Sequence, residues 1–211
     1  ARSHGCSSAA RRSASEVDLS RDAEHVDATQ AGAGEALLFW RLPATPGLEP
    51  TEAAAAEHEA EAPRLSAANL GDALRVSGLP EGKPLLVLLV HGRELPVSFA
   101  DVSVPGVHAI SSQRAAAEIQ LVHLPSDPSE PAVAVALQLD EVSDDDAGGN
   151  AWLEPLLGAL PAAGELPTEL SGADPLSLHA ALGRGVAGHY FRYDGRQRDA
   201  SCSGAQWNVL E

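Results

Sequence analysis

Three histidines stand in or beside apolar segments of this chain. His91 lies in KPLLVLLVHG (83–92), His108 follows Val107, and His123 ends AEIQLVH (117–123), which also carries Glu118 and Gln120. Imidazoles and carboxylates converging from separate segments could hold a divalent metal or move a proton. Strict alternation along a strand, however, puts Glu118 and Gln120 on one face of AEIQLVH and His123 on the other. Each histidine taken alone therefore reads as a packed or surface side chain. The acidic run DDD (144–146) lacks the spaced ligands and distal glutamate of calcium loops and reads as a solvated turn. No nucleophile-elbow signature supports a Ser-His-Asp triad.

The elements that must position these residues are mostly strands. EALLFWRL (35–42), DALRVSGLP (72–80), AAAEIQLVHL (115–124), PAVAVALQLDEV (131–142), GHYFRYDG (188–195) and SGAQWNVLE (203–211) are apolar or alternating runs of strand length. KPLLVLLVHG is a continuous apolar run, which predicts a central strand buried on both faces. AWLEPLLGALP (151–161) has helical spacing of Trp152, Leu156, Leu157 and Leu160. Residues 1–34 predict an irregular N-terminal arm of the same domain. Residues 35–211 predict a single domain, with an Ala/Glu-rich insertion near 51–65 of high helix propensity. Many strands and few helices give a mostly β fold class around one large sheet.

Composition excludes several functions. The chain has 211 residues, 30 acidic against 14 basic, and a formal net charge of −16. Lys83 is its only lysine. Such a balance argues against nucleic acid, whose backbone needs clustered Lys and Arg, and against anionic membrane surfaces. The longest apolar run, LLVLLV (85–90), is far too short for a bilayer-spanning helix, so an integral membrane protein is not expected. The sequence begins with Ala1 and holds no methionine, which fits removal of a targeting peptide. Its two cysteines, Cys6 and Cys202, say little about compartment by themselves.

The order and local wording of these segments resemble the α-class carbonic anhydrases. Tyr193, Asp194 and Gly195 match that family's turn, Cys202 its loop cysteine, and Trp207, Asn208 and Val209 the following strand. AEIQLVH is similar to the family's Ala-Glu-Leu-His-Leu-Val-His strand. AVAVALQLDE and WLEPLLGALP resemble the strand and helix after it. LRVSGLPEGKPLLVLLVHG (74–92) resembles the approach to the first ligand strand, and Cys6 with RRSASEVDLS loosely fits the family's opening. The resemblance implies a large central mixed, mainly antiparallel sheet with a few peripheral helices, C-terminally shortened at Glu211.

The family holds zinc with three imidazoles, two of them two residues apart on one strand. Matching VLLVHG to that strand puts Leu88 and Val90 at the paired positions, where they would fill the site as aliphatic core. Gln120 takes the third. Arg198 takes the position of the threonine that orients the zinc-bound hydroxide, and Val107 that of the glutamate holding it. Glu118 matches an outer carboxylate. By this reading there are no catalytic residues, no metal and no cofactor, and carbonate dehydratase activity is lost. What the resemblance then implies is a structural or interaction subunit with other protein subunits as partners, in a larger complex of an organelle lumen such as that of a photosynthetic membrane. The alternatives are a small-anion or ligand-binding module using Glu118, Gln120, Arg198 and Asp199, and a divergent carbonic anhydrase with a relocated metal site. The family's N-terminal and loop cysteines imply a Cys6–Cys202 disulfide. That in turn implies an extracytoplasmic or lumenal location.

Overall fold

In this computed structural model, residues 17–27, 39–41, 65–77, 87–90, 93–127, 129–141, 153–158, 160–170, 189–197 and 204–210 are described. They build fourteen strands and two short helices. Helix α1 (Leu19–Asp22) begins at Asp18, whose carboxylate accepts from the Ser20 backbone N–H. Strands β1 (Glu24–Asp27), β3 (Ser66–Asn69), β4 (Leu74–Ser77), β7 (Phe99–Ser103), β10 (Ala117–His123), β11 (Ala132–Leu139), β12 (Thr168–Glu169), β13 (His189–Arg196) and β14 (Gly204–Leu210) form a nine-stranded sheet. Its order is β1-β13-β14-β11-β10-β7-β4-β3-β12. Every pairing is antiparallel except β11 with β14, so the sheet is mixed and mainly antiparallel, as expected. Strands β2 (Phe39–Arg41), β5 (Val87–Val90) and β6 (Arg93–Pro96) make a separate three-stranded sheet, and β8 (Ala109–Ile110) with β9 (Gln113–Arg114) a hairpin.

Alternation sorts the side chains of the central strands onto two faces. Ile119 and Leu121 of β10 pack with Ala100, Val102, Leu74 and Val76 under helix α2 (Leu153–Gly158), whose Leu156 is buried. Val122 turns the other way and packs with Phe191, Tyr193, Trp207 and Val209. On that second face β11 supplies the small side chains of Ala132, Ala134 and Ala136, followed by Gln138. Ala134 lies beside Trp207 in the parallel register, so an alanine makes room for the indole.

Two expectations are revised. Residues 17–27 of the N-terminal arm are not irregular: they form α1 and the edge strand β1, which pairs with β13. Their weak periodicity is overridden by the ladder that β13 offers. The apolar run 83–92 does not supply a central strand. Its β5 belongs to the small sheet, and the central place beside β10 goes to β7. Residues 51–64 of the Ala/Glu-rich insertion lie outside the described residues.

Candidate functional site

The register of β7 against β10 fixes the chemistry of the second face. Asp101 is paired with Gln120, and Ser103 with Glu118. Directly opposed residues share a face, as do residues two apart, so all four project together. All four are buried. Four polar side chains in the middle of a sheet destabilise it unless each finds a partner.

Asp101 finds one on its other neighbour. Arg75 of β4 is its cross-strand partner, and the guanidinium grips both carboxylate oxygens. Arg75 Nε donates to Oδ1 at 2.8 Å and Nη2 to Oδ2 at 2.8 Å. This two-pronged geometry is the strong form of a carboxylate–guanidinium contact. The guanidinium also lies 3.9 Å from the centre of the Phe99 ring, a cation–π contact.

Glu118 collects donors one rung away. Its Oε2 accepts the backbone N–H groups of Val107 at 3.2 Å and His108 at 3.0 Å. Its Oε1 accepts His108 Nδ1–H at 2.8 Å and Gln120 Nε2–H at 2.6 Å. A carboxylate only accepts, so His108 Nδ1 carries the proton. His108 Nε2 then accepts the Tyr193 hydroxyl at 2.6 Å. Burial alone pushes the Glu118 carboxyl up, but the hydrogen bonds from the His108 ring, the His108 backbone N–H and the Gln120 amide hold it below its ordinary value. Burial, with the Glu118 charge, pushes the Tyr193 phenol up, so it stays a donor. The ring of Trp207 closes this network edge-on, 5.0 Å from that of His108.

Gln120 is the link between the rungs. Its nitrogen is committed to Glu118, and its oxygen has no partner among the described residues. It lines a small cavity of about 10 Å³, room for about one water, together with Arg75, Phe99, Asp101, Gln197 and Trp207. His123 points to the opposite face, where its Nδ1–H donates to the Leu95 carbonyl at 2.9 Å. Burial there drops its pKa to about 4.

This fold is similar to that of solved carbonic anhydrases. An α-carbonic anhydrase of Photobacterium profundum superposes over 98% of this chain and 76% of its own, with TM-score 0.64 and 18% identity. A hyperthermostable carbonic anhydrase from a hydrothermal vent chimney does so over 95% and 71%, with TM-score 0.61 and 20% identity. That of Thermovibrio ammonificans, solved with the inhibitor sulfanilamide, covers 88% and 67%, with TM-score 0.58 and 17% identity. The chain has the α-carbonic anhydrase fold. No protein-family model and no curated protein matches its sequence.

Within the α-carbonic anhydrase fold, the ladder relocates two expected positions. Leu88 and Val90 sit on β5, which pairs with β2 and β6 and is not a neighbour of Gln120 in either sheet. The residues two apart on the strand that is paired with Gln120 are Asp101 and Ser103. Beside Gln120 and Glu118 the ladder therefore presents Asp101 and Ser103. The expected aliphatic filling is thereby replaced by an ion pair. Sequence reading went astray because VLLV is the more strand-like apolar run. The overlooked signal was FADVS, an alternating segment with two polar residues two apart, just upstream of His108. Arg75 carried no such signal, because only the sheet order brings it to Asp101.

This donor set does not fit zinc. Both Asp101 oxygens are held by a guanidinium, whose positive charge would oppose a metal cation beside it. Gln120 offers a neutral amide and Ser103 a hydroxyl, both poor zinc ligands beside imidazole or thiolate. Among the described residues no group of three or more His, Cys, Asp or Glu side chains is placed to hold a metal ion. Val107 contributes its backbone N–H to Glu118, as a hydrogen-bond donor where the family has a glutamate. Arg198, Asp199, Cys6, Cys202 and His91 lie outside the described residues. No described helix is long and apolar enough to cross a membrane.

Proposed function

We propose that this chain is a carbonic anhydrase-fold protein that neither binds zinc nor hydrates CO₂, and that it acts as a binding or structural subunit alongside other proteins. The observation that carries this reading is the two-pronged Arg75–Asp101 ion pair directly opposite Gln120. A resident guanidinium supplies the positive charge there, and it cannot polarise a water as an open metal position does. The fold needs no metal to neutralise Asp101.

The interaction role has weaker but independent support. Leu157, Leu160 and Leu166 are exposed at 59%, 50% and 86%, on helix α2 and the segment after it. Apolar side chains so exposed are a common feature of surfaces that meet a partner. A lumenal or extracytoplasmic site of action is part of the same proposal and rests on the Cys6–Cys202 pairing. Intact-mass measurement under non-reducing conditions tests that pairing directly.

The decisive experiment pairs elemental analysis of the purified protein with stopped-flow CO₂ hydration in added zinc. The expected result is substoichiometric zinc and a rate equal to that of buffer. Zinc near one per chain, or hydration above buffer, would overturn the reading.

A further inference from the structure

Four leucines outside the core gather at one end of the large sheet. Leu70, Leu157, Leu160 and Leu166 are exposed, on the turn between β3 and β4, on helix α2 and on the segment that leads into β12. Hydrogen bonds tie these pieces together. The Asn69 side chain donates to the Pro161 carbonyl at 3.0 Å, which sets Leu70 close to Leu160. The Asn69 carbonyl accepts the Gly164 N–H, more loosely, at 3.5 Å. Gly164 has a φ of +82°, a left-handed conformation that favours glycine, and there the chain turns back toward β3. Thr168 then pairs with Ala67 in antiparallel register, so Leu166, two residues earlier, comes alongside Asn69 and its turn. Leu156 and Leu170 of the same segments are buried in the core and anchor the patch from below.

Charge narrows what can cover these side chains. Residues 65–74 and 160–170 contain Asp72, Glu165 and Glu169, all exposed, and neither lysine nor arginine. The whole chain carries a formal charge of −16. A second copy seated patch to patch would bring the same acidic rim against this one, and like charges so juxtaposed oppose association. An anionic membrane surface is disfavoured for the same reason. A basic partner is attracted, and apolar burial on the leucines then holds it.

We propose that this leucine patch docks an amphipathic basic segment of a partner protein, its apolar side on the leucines and its lysines or arginines toward the acidic rim. The proposal rests on the interaction-subunit reading and gives that partner its chemistry.

The test titrates the full chain into a labelled synthetic helix with a leucine face and lysine flanks, followed by fluorescence anisotropy. One control helix has glutamate for every lysine, and another keeps the lysines but has serine for every leucine. The leucine–lysine helix is expected to bind saturably and both controls at least about tenfold more weakly. Leu160→Ser with Leu166→Ser should also weaken binding at least about tenfold. Both sites are exposed, so the fold is not at stake, and the charge is unchanged, which separates the patch from general attraction to an acidic chain. Glu165→Gln keeps an oxygen for the Ala162 N–H and should weaken binding about twofold to threefold, with a smaller salt dependence. No binding, equal binding of either control helix, or binding unchanged in the leucine variant would overturn the proposal. So would a dimer in sedimentation velocity that the leucine variant dissolves, because it would assign the patch to a second copy. Zinc is measured on the same sample. A zinc-bearing sample would sink the functional reading, whereas a zinc-free sample that ignores the leucine–lysine helix would sink only this inference.

Discussion

Two adjacent rungs of one ladder have had different fates. The Ser103–Glu118 rung carries a closed network: the Glu118 carboxylate accepts from two backbone N–H groups, the His108 ring and the Gln120 amide, and His108 links on to Tyr193. The Asp101–Gln120 rung carries an ion pair from a third strand and an acceptor with no donor. The same strands, face and burial thus support a self-sufficient scaffold on one side and an unfinished site on the other. The difference teaches that a buried carboxylate can keep its place as structural support whatever stands in front of it. Glu118 is satisfied by backbone N–H groups and a core histidine. Asp101 depends on one long side chain.

The largest effect should come from rebuilding the second rung. Asp101→His, Ser103→His and Gln120→His together, with Arg75→Ala to clear the cation, place three imidazoles on one face of β7 and β10. Isothermal titration should find zinc affinity raised by on the order of 1,000-fold or more over the parent. The parallel set built at Leu88, Val90 and Gln120 should gain nothing, because β5 lies in another sheet. The opposite ranking would break the comparison at its root.

The next effect tests the closed rung. Glu118→Leu leaves two backbone N–H groups, the His108 ring and the Gln120 amide without their acceptor. Denaturant unfolding should show a loss of about 4 kcal/mol or more. Glu118→Gln should cost less, since its amide oxygen keeps part of the set. The ion pair comes third. Arg75→Met strands the Asp101 charge, whose side chain is 1% exposed, and should cost about 3 kcal/mol, the low end for buried pairs because Arg75 is 25% exposed. Arg75→Met with Asp101→Leu should recover most of that loss. Failure of the double variant to recover would mean that the pair specifies the register of β4 on β7 rather than merely neutralising itself.

Much of this was legible in the sequence, for a physical reason. AEIQLVH and AVAVALQL alternate, and alternation is what one pleated sheet with two covered faces demands. Glu118 and Gln120 were assigned to one face on that ground, and the structure has them there. What was not legible is which strand lies next to which. Apolarity ranked VLLV above FADVS, yet the strand beside β10 is the one with two polar residues, because the site needs them inward. Asp101 can be buried only once Arg75 is opposite, and that pairing depends on contacts between segments 26 residues apart. Local wording holds no record of it. The resemblance supplied the site's location and then misplaced two of its residues through the same preference for apolar runs.

The smallest effect comes from the opposite face of the same strand and serves as its control. His123 is buried with its Nδ1–H on the Leu95 carbonyl, and burial depresses its pKa from 6.5 to about 4. The folded form therefore resists protonation that the unfolded chain accepts between those values. Unfolded molecules bind more protons in that window, so stability is complete above pH 6.5 and falls as pH drops toward 4. The loss should reach roughly 3 kcal/mol at most, about 1.4 kcal/mol per pH unit. His123→Asn removes the titrating group and should flatten this part of the profile, measured by urea unfolding at several pH values. The carboxylates contribute in the same direction to the extent that they are held below their ordinary values, as Glu118 is, but their loss begins at lower pH. A wild-type profile unchanged by His123→Asn would mean that acid sensitivity belongs to the Glu118 rung, and the two faces of β10 would then share one titration instead of dividing it.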